Sequence, residues 1–230
     1  MSDDRMLRDW EADRLARLAA RAGMRRASSP YYRDARFAEW LAADVRGLGG
    51  AEPLGPAEIA LMAAGVRARV LARQLGVRLE RGTPTFMPAP SLAGADAAEV
   101  AALAACAPRL ELAAAAGAGR ELWDEPCERW VRVPAGLPPG RHVAITVAGD
   151  SMTPLLEEGD VVLVRLGAPL RGDSVVLARR PDEGYVIKRV GRTRGARVEL
   201  VSLNPAYEPV AAPRALVAGV VVARWRAGAE

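Results

Sequence analysis

The stretch AGDSMTPLLEEGDVVLV, residues 148–164, decides the fold of the second half of this chain. A glycine-containing turn leads to Ser151, a Glu-Gly-Asp turn follows, and an apolar run typical of a buried strand begins at Val161. A serine on a turn at a strand end can project its hydroxyl into a cleft, and the backbone N–H of Met152 can then donate to an oxyanion. The stretch therefore predicts strands joined by a turn that suits nucleophilic chemistry.

Further β-rich runs flank this stretch and are separated by turn residues such as Pro138-Pro139-Gly140 and Arg171-Gly172-Asp173. Together with the run that follows Ser151, they predict seven strands, at residues 129–133, 142–147, 161–165, 174–179, 185–190, 197–203 and 216–225. Strands at such short spacing are typical of a compact, mostly antiparallel β domain.

The first part of the chain has helical periodicity instead. Apolar residues recur at helical spacing over 4–21, 30–45, 57–64 and 67–75, and Gly or Pro interrupts these runs. The sequence thus predicts an α+β fold with two domains. They are an all-α, helix-turn-helix-like domain over residues 1–107 and a mostly antiparallel β domain over 121–230, joined by a linker over 108–120.

The only lysine of the chain, Lys188, is the sharpest compositional signal. Of the 32 basic residues 31 are Arg, which cannot lose its proton near neutral pH, whereas a desolvated Lys can. Lys188 lies 37 residues after Ser151, in an apolar run where alternation puts it on one face with Val186 and Val190. Burial on that face would lower the lysine pKa from about 10.4 to roughly 7–8, which suits a general base.

Composition argues against several other kinds of protein. With two cysteines, Cys106 and Cys127, in no C-x-x-C pair and one histidine, His142, we expect no disulfide framework, no zinc site and no cofactor. His142 lies nine residues before Ser151 on a neighbouring predicted strand, which disfavours a His-based triad.

No apolar run has the length of a membrane span and the first residues do not resemble a secretory signal, so a cytoplasmic protein is expected. The net charge of +4 suits a nucleic-acid partner, but solvated helix faces of alternating Arg and Glu explain it equally well.

Three motifs in this order resemble the signature of the S24 peptidases, the family of LexA, CI-type phage repressors and UmuD. They are Ser-Met-x-Pro-x-Leu-x-x-Gly-Asp at 151–160, Arg-Gly-Asp-x-Val-Val at 171–176 and Val-Ile-Lys-Arg-Val at 186–190. The resemblance spans roughly residues 110–225. It implies Ser151 as nucleophile and Lys188 as base, on a β-rich fold, similar to LexA and to signal peptidases, that dimerises.

Members of that family cut themselves, usually at an Ala-Gly or Cys-Gly bond upstream of the serine. Here the Ala116-Gly117 bond, which begins 35 residues before Ser151, is the favoured site, with Ala118-Gly119 close behind and Ala93-Gly94 more distant. Small residues over 113–119 suit a loop that must enter its own active site, although the same run would also serve as a flexible linker. Intramolecular presentation lets modest catalytic groups suffice.

LexA- and CI-type proteins carry a helix-turn-helix, and residues 56–73 are the best match to one. This register would place Arg67, Arg69 and Arg73 on the second helix, where arginines can contact phosphates or guanines. Residues 71–77 match the first helix and turn better, but Gly82 and Pro84 would then interrupt the recognition helix. A helical interaction or dimerisation domain is the alternative.

The resemblance implies a self-cleaving repressor that binds operator DNA as a homodimer, in an SOS-type or prophage response. It also implies that a RecA–single-stranded DNA filament promotes the cleavage after DNA damage; no membrane partner is expected. Three alternative functions remain open. They are a regulator that uses the fold only to dimerise, a peptidase that acts in trans, and a UmuD-like accessory protein, which the long amino-terminal segment disfavours.

Overall fold

The computed structural model describes residues 68–69, 71–80, 82–88, 105–111, 127, 129–180 and 184–227. The chain divides into two compact units, residues 1–74 and 75–230. In the first unit, the described residues 68–69 and 71–74 are helical, at the place of the fourth predicted helix. The other predicted helices, and with them the helix-turn-helix-like arrangement, lie outside the described residues. No helix in the described part of the chain combines the length and apolarity that a membrane span requires.

The second unit is the mostly antiparallel β domain that the sequence predicts. Its described part has eleven strands, which are β1 (Arg78–Leu79), β2 (Phe86–Pro88), β3 (Cys106–Glu111), β4 (Arg129–Arg132), β5 (His142–Thr146), β6 (Val161–Leu166), β7 (Val175–Arg180), β8 (Gly184–Arg194), β9 (Arg197–Val201), β10 (Val210–Pro213) and β11 (Val217–Trp225). A short 3-10 helix, Arg214–Leu216, connects the last two strands.

The strands form one sheet in the order β10-β9-β8-β7-β11-β6-β5-β3-β4-β2, and β1 pairs with β11 beyond the end of β7. Among the described pairs, β1–β11 and β3–β5 are parallel and the others are antiparallel. The long strand β8 therefore lies between β7 and β9, and β5 pairs directly with β6. These two neighbourhoods carry the candidate site.

All seven predicted strands are present, with ends close to those predicted, and β8 runs four residues further, to Arg194. Strands β1, β2, β3 and β10 were not predicted. In β3 the reason is Pro108, which lacks a backbone N–H and usually argues against a strand interior. Pro108 is the last β3 residue paired with β4, and Arg109 is the first paired with β5, so the proline lies where the strand changes partner. Strands thus begin well before residue 121, where the sequence placed the start of the β domain.

Two apolar clusters form the core and explain why these runs become strands. One joins alternate residues of β5, β6 and β11 and includes Leu163 and Trp225. The other lies under β7, β8 and β9 and includes Val176, Val190 and Leu200, with Val186 packed against it. The first four residues of β5, of β6 and of β7 are buried on both faces of the sheet, as expected for continuous apolar runs, whereas burial alternates along β9.

Candidate functional site

Ser151 lies in the loop 147–160 that joins β5 to β6. The antiparallel pairing of these strands closes the loop at its base, where Val147 N donates to Asp160 O (2.8 Å) and Gly159 N donates to Val147 O (2.9 Å). Inside the loop, Met152, Leu155 and Leu156 are buried and anchor it to the core. Ser151 is left partly exposed at the surface of the sheet.

Asp160, the last residue of this loop, is fully buried and fixes the loop to the carboxy-terminal strand. Its carboxylate lies 2.7 Å from Arg224 Nε and accepts hydrogen bonds from the backbone N–H groups of Glu157 and Ala227, both at 2.9 Å. Burial lowers the pKa of Arg224, and the charge of Asp160 opposes that shift. A buried charge needs a partner of this kind to offset its desolvation.

Lys188 lies on β8 opposite Val176 of β7 and is partly buried. Val186 and Val190 belong to the same apolar cluster as Val176, so the face predicted for the lysine is confirmed. The Lys188 ammonium donates a hydrogen bond to Ser202 Oγ (2.9 Å) and lies 5.1 Å from the centre of the Tyr207 ring. A polar head above an apolar stem is the usual arrangement for a half-buried lysine.

Ser151 and Lys188 line the same cavity, which has a volume of about 400 Å³. Two residues that are 37 positions apart in the sequence thus lie at one cavity. Charged groups of both signs also face this space. The described residues that line it are Ala148, Gly149, Asp150, Ser151, Arg180, Lys188, Leu200, Ser202, Tyr207, Glu208 and Val210.

The segment 202–208, just after β9, contacts the serine turn directly. Asn204 N donates to Ser151 O (3.0 Å) and Asn204 Nδ2 donates to Asp150 Oδ2 (2.9 Å). The Tyr207 hydroxyl donates to Asp150 Oδ1 (2.5 Å), and this hydrogen bond, together with the carboxylate charge, raises the pKa of Tyr207. The phenol therefore remains a donor well above neutral pH, and these hydrogen bonds join two loops that both line the cavity.

Ser202, Asn204 and Tyr207 were not predicted from the sequence as site residues. A usable signal was present, because Asn204-Pro205 is a turn-forming pair and Tyr207 follows it closely in a chain with only 5% aromatic residues. Which loop meets Ser151, however, depends on strand pairing.

The other predicted site residues are taken one by one. Met152 is buried in the loop, and the role of its N–H in an oxyanion hole stays a prediction. Arg69 and Arg73 are helical, with Arg73 exposed. Ala116, Gly117 and Arg67 lie outside the described residues. His142 is buried on β5, away from the cavity lining.

Comparison with known proteins points to one family. The model of the family described as Peptidase S24-like matches residues 108–222. A LexA repressor from Acidiphilium cryptum is 37% identical over 100 residues, which cover 42% of this chain and 43% of that protein. A LexA repressor from Gluconacetobacter diazotrophicus is 37% identical over 75 residues, which cover 32% of this chain and 29% of that protein. The chain thus matches less than half of the length of either relative.

The matched region contains the loop of Ser151, strand β8 with Lys188, and the segment 202–208. It amounts to half of the chain. The chain therefore belongs to the Peptidase S24-like family.

Proposed function

We propose that this protein is a LexA-like repressor that inactivates itself by cutting its own chain, with Ser151 as nucleophile and Lys188 as general base. The observation that carries the proposal is the shared cavity, in which a partly exposed serine and the only lysine of the chain face the same space. A nucleophile and a base within one cleft are the minimum that acyl transfer by a serine needs.

The chemistry requires the lysine as a neutral amine. As Ser151 Oγ attacks the scissile carbonyl carbon, the amine takes the hydroxyl proton, and the carbonyl electron pair moves onto oxygen, towards the N–H of Met152. The tetrahedral intermediate then expels the amine of the new amino terminus, which receives the proton from the Lys188 ammonium. Water, deprotonated by the same lysine, hydrolyses the serine ester and restores the hydroxyl.

The register of β3 supports cleavage within the same chain. Glu111, the last residue of β3, pairs in parallel with Thr146, the last residue of β5. A salt bridge from Arg109 to Glu111 (2.9 Å) and a hydrogen bond from the Thr146 hydroxyl to Glu111 (3.1 Å) support this register. Ala116 follows Glu111 by five residues, just as Ser151 follows Thr146 by five. Five residues reach at most about 18 Å, so the Ala116-Gly117 bond has a short path to the serine.

Regulation of transcription is proposed from the relatives, which are named LexA repressors. On this proposal the first unit binds operator DNA, with Arg67, Arg69 and Arg73 at the groove, and the β domain pairs two copies. Cleavage at 116–117 separates the two functions. Each DNA-binding unit alone binds one operator half-site weakly, and the paired β domains link two such units. Because the cut removes this link, the joint affinity is lost and the DNA-binding units leave the operator. A RecA–single-stranded DNA filament is the proposed co-protease.

The test is to incubate the purified protein at alkaline pH and to weigh the products by mass spectrometry. Cleavage at the favoured bond yields fragments 1–116 and 117–230, and Ser151→Ala should yield only the intact chain. Cleavage by Ser151→Ala at the normal rate, or an intact wild-type chain at every pH, overturns the self-cleavage proposal. The latter result favours a regulator that uses the fold only for pairing. A gel shift with genomic DNA fragments, before and after cleavage, tests the repressor function separately.

A further inference from the structure

Tyr207 contacts both halves of the candidate site. Its ring centre lies 5.1 Å from Lys188 Nζ, and its hydroxyl donates a 2.5 Å hydrogen bond to Asp150, the residue before Ser151. The side chain remains 44% exposed, so apolar burial does not account for its place in the structure. One side chain is thus positioned to act on the base through its ring and on the serine turn through its hydroxyl.

The ring distinguishes the two protonation states of the lysine. An aromatic face attracts an ammonium group within about 6 Å, whereas a neutral amine gains little from it. Three other charged groups line the same cavity: Asp150 and Glu208, which also favour the ammonium, and Arg180, which opposes it. Ser202 accepts the hydrogen bond from Nζ. All four of these residues remain when only Tyr207 is changed, which makes the contribution of the ring separable.

We propose that Tyr207 is a positioning residue for the self-cleavage reaction, whose ring holds Lys188 in its charged resting form and whose hydroxyl holds Asp150 beside Ser151. The inference rests on the proposed function for its biological meaning. The effect of the ring on the lysine, however, is a property of the folded chain and can be measured without any cleavage.

Two substitutions separate the two roles. Tyr207→Phe keeps the ring and removes the hydrogen bond to Asp150, and Tyr207→Leu removes both. Since the hydroxyl is absent from both variants, the difference between them reports the ring alone. Phe86→Leu is the matched control, because Phe86 is similarly exposed (40%) and lies under a different cation, Arg109.

The composition of the chain allows a direct measurement. Because Lys188 is the only lysine, a protein labelled with lysine carrying ¹³C at Cε gives a single side-chain NMR signal, and its pH titration reports this amine. The titration is done on the Ser151→Ala background, which keeps the chain intact. We expect the midpoint of Tyr207→Leu to lie below that of Tyr207→Phe by roughly half a pH unit, and Phe86→Leu to match the parent. Equal midpoints for the Leu and Phe variants would overturn the role of the ring.

A second measurement tests the hydroxyl, with Ser151 restored. On the alkaline plateau, where the lysine is neutral in every variant, Tyr207→Phe should cleave itself about three- to tenfold more slowly than the wild type, because the serine turn has lost a tether. A plateau rate equal to that of the wild type would overturn this second role. If the wild type does not cleave at all, the proposed function fails, while the NMR comparison still decides whether the ring acts on the lysine.

Discussion

Lys188 Nζ donates a 2.9 Å hydrogen bond to Ser202 Oγ, and the pairing of β8 with β9 explains why these two residues meet. In that antiparallel ladder Val190 pairs with Leu200 and Arg189 with Val201. The same register, continued by one position beyond the end of β9, puts Ser202 opposite Lys188. Ser202 therefore belongs to the candidate site even though it is not part of the motifs that identify the serine and the lysine.

Replacing Ser202 by Ala should slow self-cleavage by about 10- to 100-fold, because the lysine loses the hydrogen bond that orients its amine. Ser202→Thr keeps a hydroxyl at the same atom and should retain most of the rate. The measurement is the rate of fragment formation across the alkaline range. If Ser202→Ala keeps the wild-type rate at every pH, the hydrogen bond has no part in the reaction.

Replacing Lys188 by Arg should reduce self-cleavage by about 10²- to 10⁴-fold, because a guanidinium keeps its proton and cannot act as the base. In the wild type the rate should rise with pH as the amine loses its proton, and this rise should be absent in Lys188→Arg.

A double variant, Lys188→Arg with Arg189→Lys, tests whether position matters and not only the presence of a lysine. Neighbouring residues of a strand point to opposite faces, and Arg189 forms a salt bridge with Asp173 on the other side of the sheet from the cavity. The shifted lysine should therefore remain inactive. Recovery of cleavage in the double variant would contradict the assignment of the base to position 188.

The β domain should lose stability in mild acid because of His142. Burial lowers the pKa of this imidazole below its ordinary 6.5, and the charge of Arg165 lowers it further. As the pH falls, the unfolded chain therefore takes up a proton at His142 before the folded chain does, and this proton uptake favours unfolding. The stability that comes from keeping His142 neutral is complete above the unfolded-state pKa of about 6.5 and is lost as the pH falls through the folded-state pKa. Urea unfolding at pH 7.5 and 5.5 measures the loss.

His142→Gln removes the titrating group and should unfold with a smaller difference between the two pH values. Carboxylates titrate in both proteins, so the comparison isolates the histidine. An equally large difference in the variant would assign the acid sensitivity to other groups.

Asp160→Ala should destabilise the β domain by about 3–5 kcal/mol, because it leaves the buried guanidinium of Arg224 without its partner. The side chains of the pair are 0% and 5% exposed. The matched control is Glu157→Ala, which breaks the exposed ion pair with Arg226 and should cost less than about 1 kcal/mol. Urea unfolding of both variants measures the loss of stability for each ion pair. Equal losses in the two variants would refute the distinction between the buried and the exposed pair.

Much of the β domain follows from local sequence. Short β-rich runs separated by turn residues predicted seven strands, since residue type and turn signals are visible without knowledge of the strand partners. The short strands β1 and β2 offered too few residues for such a pattern. A proline inside a run usually counts against a strand, and in β3 the structure shows Pro108 where pairing passes from β4 to β5.

For the candidate site, the sequence by itself determined the serine turn, the single lysine, the face of the strand on which the lysine lies, and the family. These are properties of residue type and spacing along the chain. Only the tertiary structure decided that Ser202 lies opposite Lys188, that Tyr207 reaches Asp150, and that Asp160 pairs with Arg224 across 64 residues. Such contacts depend on strand register and on loops that meet only after the sheet has formed, and no local pattern along the chain encodes them.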